Sequence, residues 1–205
     1  DGGNIRWGTG SIPGAIATVS IGEEGPSVCT VADMPPIGIC GTGVIETVSE
    51  LLSAEIIDKT GKLKEAYFEK GYPLAKTRSG KTILFTQRDI REVQMAKAAI
   101  RAGIEILLLT AGISCDKIEQ VFLAGGFGYY LNIPKAASVG ILPKELVSKT
   151  TAAGNTSLTG ALFYLAKQTD AVLSELSADA VDVPLAADEH FQDLYLSHME
   201  FKKIT

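Results

Sequence analysis

Two glycine turns, each where an apolar run meets a helix start, are the residues best placed to do chemistry in this sequence. The first is Gly41-Thr42-Gly43, which follows Ile37-Gly38-Ile39. Free backbone N–H groups and the positive end of the helix there could face a phosphate. A plain tight turn explains the same tripeptide. The second is Gly125-Gly126-Phe127-Gly128, at the end of Val121-Phe122-Leu123-Ala124. Glycines at a strand's carboxyl end let a flat ring lie against the backbone with no Cβ in the way. Ligands of open α/β sheets bind at that edge. A glycine-rich packing turn is the alternative. No GxxxxGK[ST] occurs and no GxGxxG opens a helix at a suitable place, which argues against a P-loop and a Rossmann site.

A third element is a stripe of Ile90, Gln94, Lys97, Arg101, Ile104 and Leu108, spaced by three or four residues and so on one helix face. It is apolar at both ends and polar in the middle. That is the pattern of a helix lining a cleft, or of long side chains reaching past a core to water. The tail gathers Asp188, Glu189, His190, Asp193, His198 and Glu200, which read as a solvated helix face rather than a metal site. With two histidines, both near the end, no Ser/His/Asp or Cys/His arrangement stands out. No catalytic and no metal-ligating residue is assigned.

The elements that must position these residues alternate. Ala15 to Ile21, a turn at 22–26 and Ser27 to Val31 read as a β-hairpin, followed by a short strand at 37–39. Apolar spacing predicts a helix from about Thr42 to Ile57, and the turn-rich, polar stretch 58–80 reads as a peripheral insertion. Lys81 to Phe85 is strand-like. Thr86 with Asp89 offers an acidic capping box for a helix of about 25 residues that Gly112 stops. A strand runs into Gly125, Pro134 opens a helix, 147–153 reads as a strand, and Asn155 caps a helix to about Gln168. Helices at about 170–180 and 188–199 follow. Strands alternating with helices after a hairpin give an α/β fold with a mixed sheet.

The 205 residues, 46% of them hydrophobic, can bury a sizeable core in one large domain or two lobes. Net charge is −5 and no Lys/Arg run exceeds two, so a nucleic-acid partner is not expected. The longest apolar run, 104–113, is interrupted and far short of the ~20 residues a membrane crossing needs. Cys29, Cys40 and Cys115 are scattered and odd in number, without zinc or iron–sulfur spacing, which fits a reducing cytoplasm.

Four segments, "PIGICGTGVIE", "TQRDIREVQMAKAAIRAGIEILL", "VFLAGGFGYYLNIPKAASVGILP" and "GNTSLTGA", taken in order, resemble the C-terminal ATPase-like part of the reductive activators of corrinoid-dependent enzymes. Those belong to the actin, chaperone and sugar-kinase (ASKHA) superfamily. The resemblance implies an actin- or ribonuclease-H-like mixed sheet flanked by helices, here the C-terminal half of such a fold. It places adenine and ribose against Gly125 and Gly126, with Phe127 beside them. Gly41, Thr42 and Gly43 would lie near the nucleotide, Gln94 and Lys97 would border the adenine, and Asn155 would begin the second connecting helix.

The superfamily's phosphate loops and an iron–sulfur domain find no match in this sequence, so the chain reads as the adenosine half of a longer activator, inactive alone. ATP or ADP with Mg²⁺ would be the cofactor of the whole protein, and an iron–sulfur cluster would belong to its other part. The implied partner is a corrinoid protein or its methyltransferase, with a homodimer left open. Three functions remain: the nucleotide-binding part of an ATP-dependent corrinoid activator, an activator of another radical or dehydratase enzyme or a carbohydrate kinase, and a docking module that kept the fold without the nucleotide.

Overall fold

The fold is taken from a computed structural model that describes residues 4–167 and 170–201. It begins with the expected hairpin, β1 (Ala15–Gly22) antiparallel to β2 (Gly25–Thr30). The two-residue β3 (Gly38–Ile39) pairs in parallel with the start of β1, so the sheet is mixed, in the order β2-β1-β3. Helix α1 (Gly41–Ser53) packs on β1, burying Val44, Val48 and Leu51.

Apolar spacing carries this helix to Ile57, but it stops at Ser53. Glu55 takes a left-handed backbone (φ 53°), and the N–H groups of Ile56 and Ile57 turn back onto the Leu51 carbonyl at 2.8 and 3.2 Å. Both isoleucines are buried by that fold-back, which the helical period mimics.

The stretch 58–80 is more than a peripheral insertion. After the short α2 (Glu65–Phe68), β4 (Tyr72–Lys76) forms an antiparallel hairpin with β5 (Thr82–Phe85), and β4 lies against β2. Leu63, Tyr72 and Leu74 enter the main core beside Ile83 and Phe85. Polar residues dominate the composition of the stretch, yet the alternating Tyr72 and Leu74 of β4 face inward.

Helix α3 (Gln87–Ala111) starts as its sequence dictates. The Thr86 hydroxyl caps the Asp89 N–H, while Asp89 accepts from the Thr86 N–H at 2.7 Å. Its other carboxylate oxygen accepts the Arg6 N–H at 2.7 Å, so a buried aspartate ties the N-terminal segment to the helix start. Gly112 ends the helix in the left-handed conformation (φ 64°).

The remaining strands, β6 (Val121–Ala124) and β7 (Thr150–Gly154), form a separate parallel pair. The described strands thus lie in three small sheets rather than one. Between β6 and β7 run α4 (Gly125–Tyr130) and α5 (Ile133–Val139), the latter capped by Asn132 with Pro134 in its first turn. Helices α6 (Thr156–Lys167), α7 (Asp170–Asp179) and α8 (Phe191–Ser197) complete the chain. No described residue of α6 or α7 is buried, and Leu158, Leu162, Phe163, Leu165, Leu173 and Leu176 are exposed. No described helix is long and apolar enough to cross a membrane.

The outer edge of β1 beyond β3 is closed by charge. Glu46 and Glu50, one turn apart on α1, accept the N–H groups of Val19 (3.4 Å) and Ile21 (2.9 Å). The Lys135 ammonium of α5 reaches Glu46 at 2.5 Å, Glu50 at 2.9 Å and the Val19 carbonyl at 3.1 Å. Burial by itself would lower the lysine's pKa, but its bonds to the two glutamates outweigh that and hold it above the usual 10.5.

Replacing Lys135 by Met leaves Glu46 buried without its counter-charge. That should cost roughly 2–4 kcal/mol of unfolding free energy, since removing one partner of a largely buried pair is strongly destabilising. A raised lysine pKa contributes stability that is complete below its unfolded value and lost as pH rises through the folded value. Urea melts should therefore show the wild-type chain weakening above about pH 10.5, with a smaller alkaline loss in Lys135→Met.

Candidate functional site

The parallel register of β6 on β7 builds the site. Val121 stands opposite Thr150 and Ala124 opposite Gly154, so Gly125 and Asn155 leave neighbouring strands side by side at their carboxyl ends. Gly125 turns with φ 84°, a conformation that favours glycine. A Cβ on Gly126 would meet nothing within 4 Å, so its face is open. Gly128 is bare for a different reason: a Cβ there would press on the Leu123 backbone at 3.1 Å. Asn155 caps α6, its side-chain oxygen accepting the Leu158 N–H at 3.1 Å.

Phe127 joins this edge to the first glycine turn. Its ring rests on Gly41, where a Cβ would stand 2.9 Å from two ring carbons. Gly43 is bare because the helix start lies directly on β1, and any Cβ would collide with the Ile16 carbonyl oxygen. The Thr42 hydroxyl is buried and pairs with the Cys40 thiol at 3.1 Å. Of the three, Gly41 alone faces the site through the ring it accommodates.

Beside this ring opens a pocket of about 340 Å³ lined by Ile5, Gly41, Val44, Ile45, Val93, Ala96, Ile100, Phe127 and Ile141, with Asn4, Glu92 and Lys97 adding polarity. Such a volume, mostly apolar with a few polar groups, suits a flat ring system. Its α3 wall is Val93, Ala96, Lys97 and Ile100. The sequence signal for that wall is the apolar spacing 93, 96, 100, which lies next to the polar stripe that draws attention first.

That polar stripe serves another purpose. Gln94 is buried and donates to the carbonyls of Thr60 (3.1 Å) and Met199 (2.8 Å), while Arg91 donates to its side-chain oxygen at 2.5 Å. Lys97 is buried too, its ammonium bonded to the carbonyls of His198 (2.5 Å) and Glu200 (2.8 Å) and set 5.0 Å from the centre of the Phe201 ring. Where the spacing suggests an open cleft, the chain's own C-terminal segment lies on the stripe. Polar groups occur mid-stripe because they satisfy the ends of that segment's backbone. Lys97 still lines the pocket; Gln94 does not.

One turn further, Arg101 lies 3.1 Å from Glu105, and the His198 ring lies 3.0 Å from the same carboxylate. Burial pushes the Glu105 pKa up, but its contacts with His198 and Arg101 prevail and hold it below 4.5. His190 of the tail pairs with Asp188 at 3.1 Å on the surface. Among the described residues no group of three His, Cys, Asp or Glu is gathered as a metal site.

The fold and this edge define a class of protein. The sequence model of the family described as the C-terminal domain of RACo, the ASKHA domain, matches residues 1–205, and the chain belongs to that family. A solved structure of a reductive activator for corrinoid, iron–sulfur protein superposes with a TM-score of 0.89 at 34% identity, covering 98% of this chain and 34% of that one. The corrinoid activation enzyme RamQ of Eubacterium limosum is 27% identical over 98% of this chain and 37% of its own length. A [Co(II) methylated amine-specific corrinoid protein] reductase of Methanosarcina barkeri is 29% identical over 80% of this chain and 29% of its own. The chain thus spans about a third of the length of these relatives.

Two outcomes check the tail clamp. Lys97→Met removes two charged hydrogen bonds, one to the buried His198 carbonyl and one to the part-buried Glu200 carbonyl, and should cost about 2–3 kcal/mol of ligand-free stability in urea melts. The depressed Glu105 contributes stability present above its unfolded value near 4.5 and lost as pH falls through the lower folded value. Thermal melts stepped down from pH 5 should show Glu105→Gln losing less stability over that range than wild type.

Proposed function

We propose that this chain is the adenosine-binding part of an ATP-dependent reductive activator, which returns the cobalt of a corrinoid protein to its reduced state. The observation carrying this reading is the open face of Gly126 next to Phe127, whose ring lines the 340 Å³ pocket, although Gly126 itself is not part of the pocket wall. A purine can lie on backbone there, with the aromatic ring at its side. Gly41 borders the ligand at the start of α1, with Thr42 and Gly43 seating that helix start on β1 behind it, and Lys97 borders it from α3. Asn155 orders the turn after β7. Gln94 supports the site from behind, through the tail it holds.

Relatives named for corrinoid activation and reduction support the direction of the reaction. In the whole activator, ATP binding would supply the drive for an uphill electron transfer, and an iron–sulfur group held outside this chain would supply the electron. The cysteines of this chain do not fit such a cluster: Cys29 is exposed, Cys40 is buried against the Ile16 carbonyl, and Cys115 lies far along the chain. We place the cluster, the phosphate loops and the Mg²⁺ ligands in other parts of the activator. The exposed apolar faces of α6 and α7 and the two-stranded parallel pair fit this division, because parallel sheets are normally covered on both faces. The partner is a corrinoid protein or its methyltransferase, in the cytoplasm.

Isothermal titration with ADP tests the reading. The wild-type chain should bind ADP, and Gly126→Val should weaken binding at least tenfold while its urea midpoint stays unchanged, because the new side chain fills only open space. Equal affinity in a folded Gly126→Val variant, or no binding by wild type, would overturn it. ATP hydrolysis by the chain alone should not exceed background in a phosphate-release assay, since no described group is placed to stabilise a transferring phosphoryl.

A further inference from the structure

The β4–β5 hairpin carries a charge pattern that the nucleotide site does not use. From Lys70 to Arg88 the chain holds five cations, Lys70, Lys76, Arg78, Lys81 and Arg88, and no carboxylate. The other residues hold 14 cations against 24 carboxylates, so a positive hairpin stands on a strongly negative body. All five cations are exposed, and among the described residues none forms an ion pair or a side-chain hydrogen bond. The buried Lys97 and the half-buried Lys135, by contrast, are engaged by carbonyls and carboxylates.

The hairpin is also built to hold its charges still. Its turn is closed by Thr77 N–H to the Lys81 carbonyl (2.8 Å), Gly80 N–H to the Thr77 carbonyl (2.9 Å) and Lys81 N–H to the Thr77 hydroxyl (3.1 Å), with Gly80 at φ 82°. Lys76, Arg78 and Lys81 therefore project from one ordered turn, while Tyr72, Leu74, Ile83 and Phe85 anchor the strands in the core. Like charges held close on a rigid turn repel one another, a cost that fits a surface meant to be neutralised by a partner.

We infer that this hairpin is a docking surface for an acidic face of the partner protein. This rests on the proposed role in activating a corrinoid protein, and names where that protein meets the chain. The carboxylate excess of the body argues against a polyanion lying across the molecule, as a duplex or an anionic bilayer would. No aromatic side chain stands at the turn to stack a base. A protein face presents its carboxylates locally, at the size of this turn, and opposite charge there speeds and orients encounter.

The test compares three forms of the chain: wild type, Lys76→Glu/Arg78→Glu/Lys81→Glu, and a control with the same charge change elsewhere, Lys117→Glu/Lys144→Glu/Lys167→Glu. Association with the purified corrinoid protein of the same organism is followed by surface plasmon resonance from 25 to 300 mM salt. Duplex DNA and phosphatidylserine vesicles serve as competing surfaces, and ADP titration confirms that each variant is folded. The hairpin variant should associate at least tenfold more slowly at low salt and lose most of the salt dependence. The control should stay within about twofold of wild type. Wild-type binding that the hairpin variant retains would overturn this inference alone, as would an equal loss in the control or tighter binding to DNA or vesicles. No wild-type binding to the corrinoid protein would overturn the partner reading and this inference with it.

Discussion

The packing of this domain depends on one buried charge cluster. Glu46 and Glu50 of α1 take the outer N–H groups of β1, and Lys135 of α5 neutralises both while bonding the Val19 carbonyl. A strand edge left open would need another strand or water, and here the side chains of α1 and α5 take that place. The three groups thereby fix strand, first helix and fifth helix relative to one another. A second bond between the hydroxyls of Ser49 and Ser138 at 2.8 Å holds the same two helices together.

The glycine-rich edge follows from that arrangement. With α5 docked on α1, the preceding α4 is drawn over the start of α1, and Phe127 comes to rest on Gly41. The two glycine turns, 84 positions apart, are thus brought together by a ring. The opposite wall, α3, is oriented by Asp89 at its start and by the C-terminal segment clamped along Gln94, Lys97 and Glu105. Substitutions at Gln94 and Glu105 act on stability first and reach the pocket by letting α3 move, whereas Lys97 belongs to both the clamp and the pocket wall.

Local rules were legible in the residues themselves. The hairpin, the Thr86–Asp89 capping box, the left-handed stop at Gly112 and the cap at Asn155 arise from residue types at fixed short spacings. The strand-to-glycine junctions at Gly41 and Gly125 were legible for the same reason. Where local pattern misled, tertiary burial had intervened. Ile56 and Ile57 keep the helical period yet lie in a turn, and Tyr72 and Leu74 make core out of a stretch that reads as loop.

The sequence alone determined the opening hairpin, the long capped helix, the family resemblance in its four segments, and the bare backbone at Gly125-Gly126, but not β4, which lies in a stretch that reads as loop. Only the tertiary structure decided what each polar or bare position serves. Gly41 is bare for Phe127 and Gly43 for the Ile16 carbonyl; spacing could not separate the two, because the partner in each case is far along the chain. Gln94 and Lys97 show the same limit. A polar stripe on a helix states that something polar must cover it, and whether that is a ligand or the chain's own backbone depends on where the C-terminal segment comes to lie. It lies there because Phe201 enters the core cluster, and the carbonyls beside that buried ring come within reach of the Gln94 amide and the Lys97 ammonium.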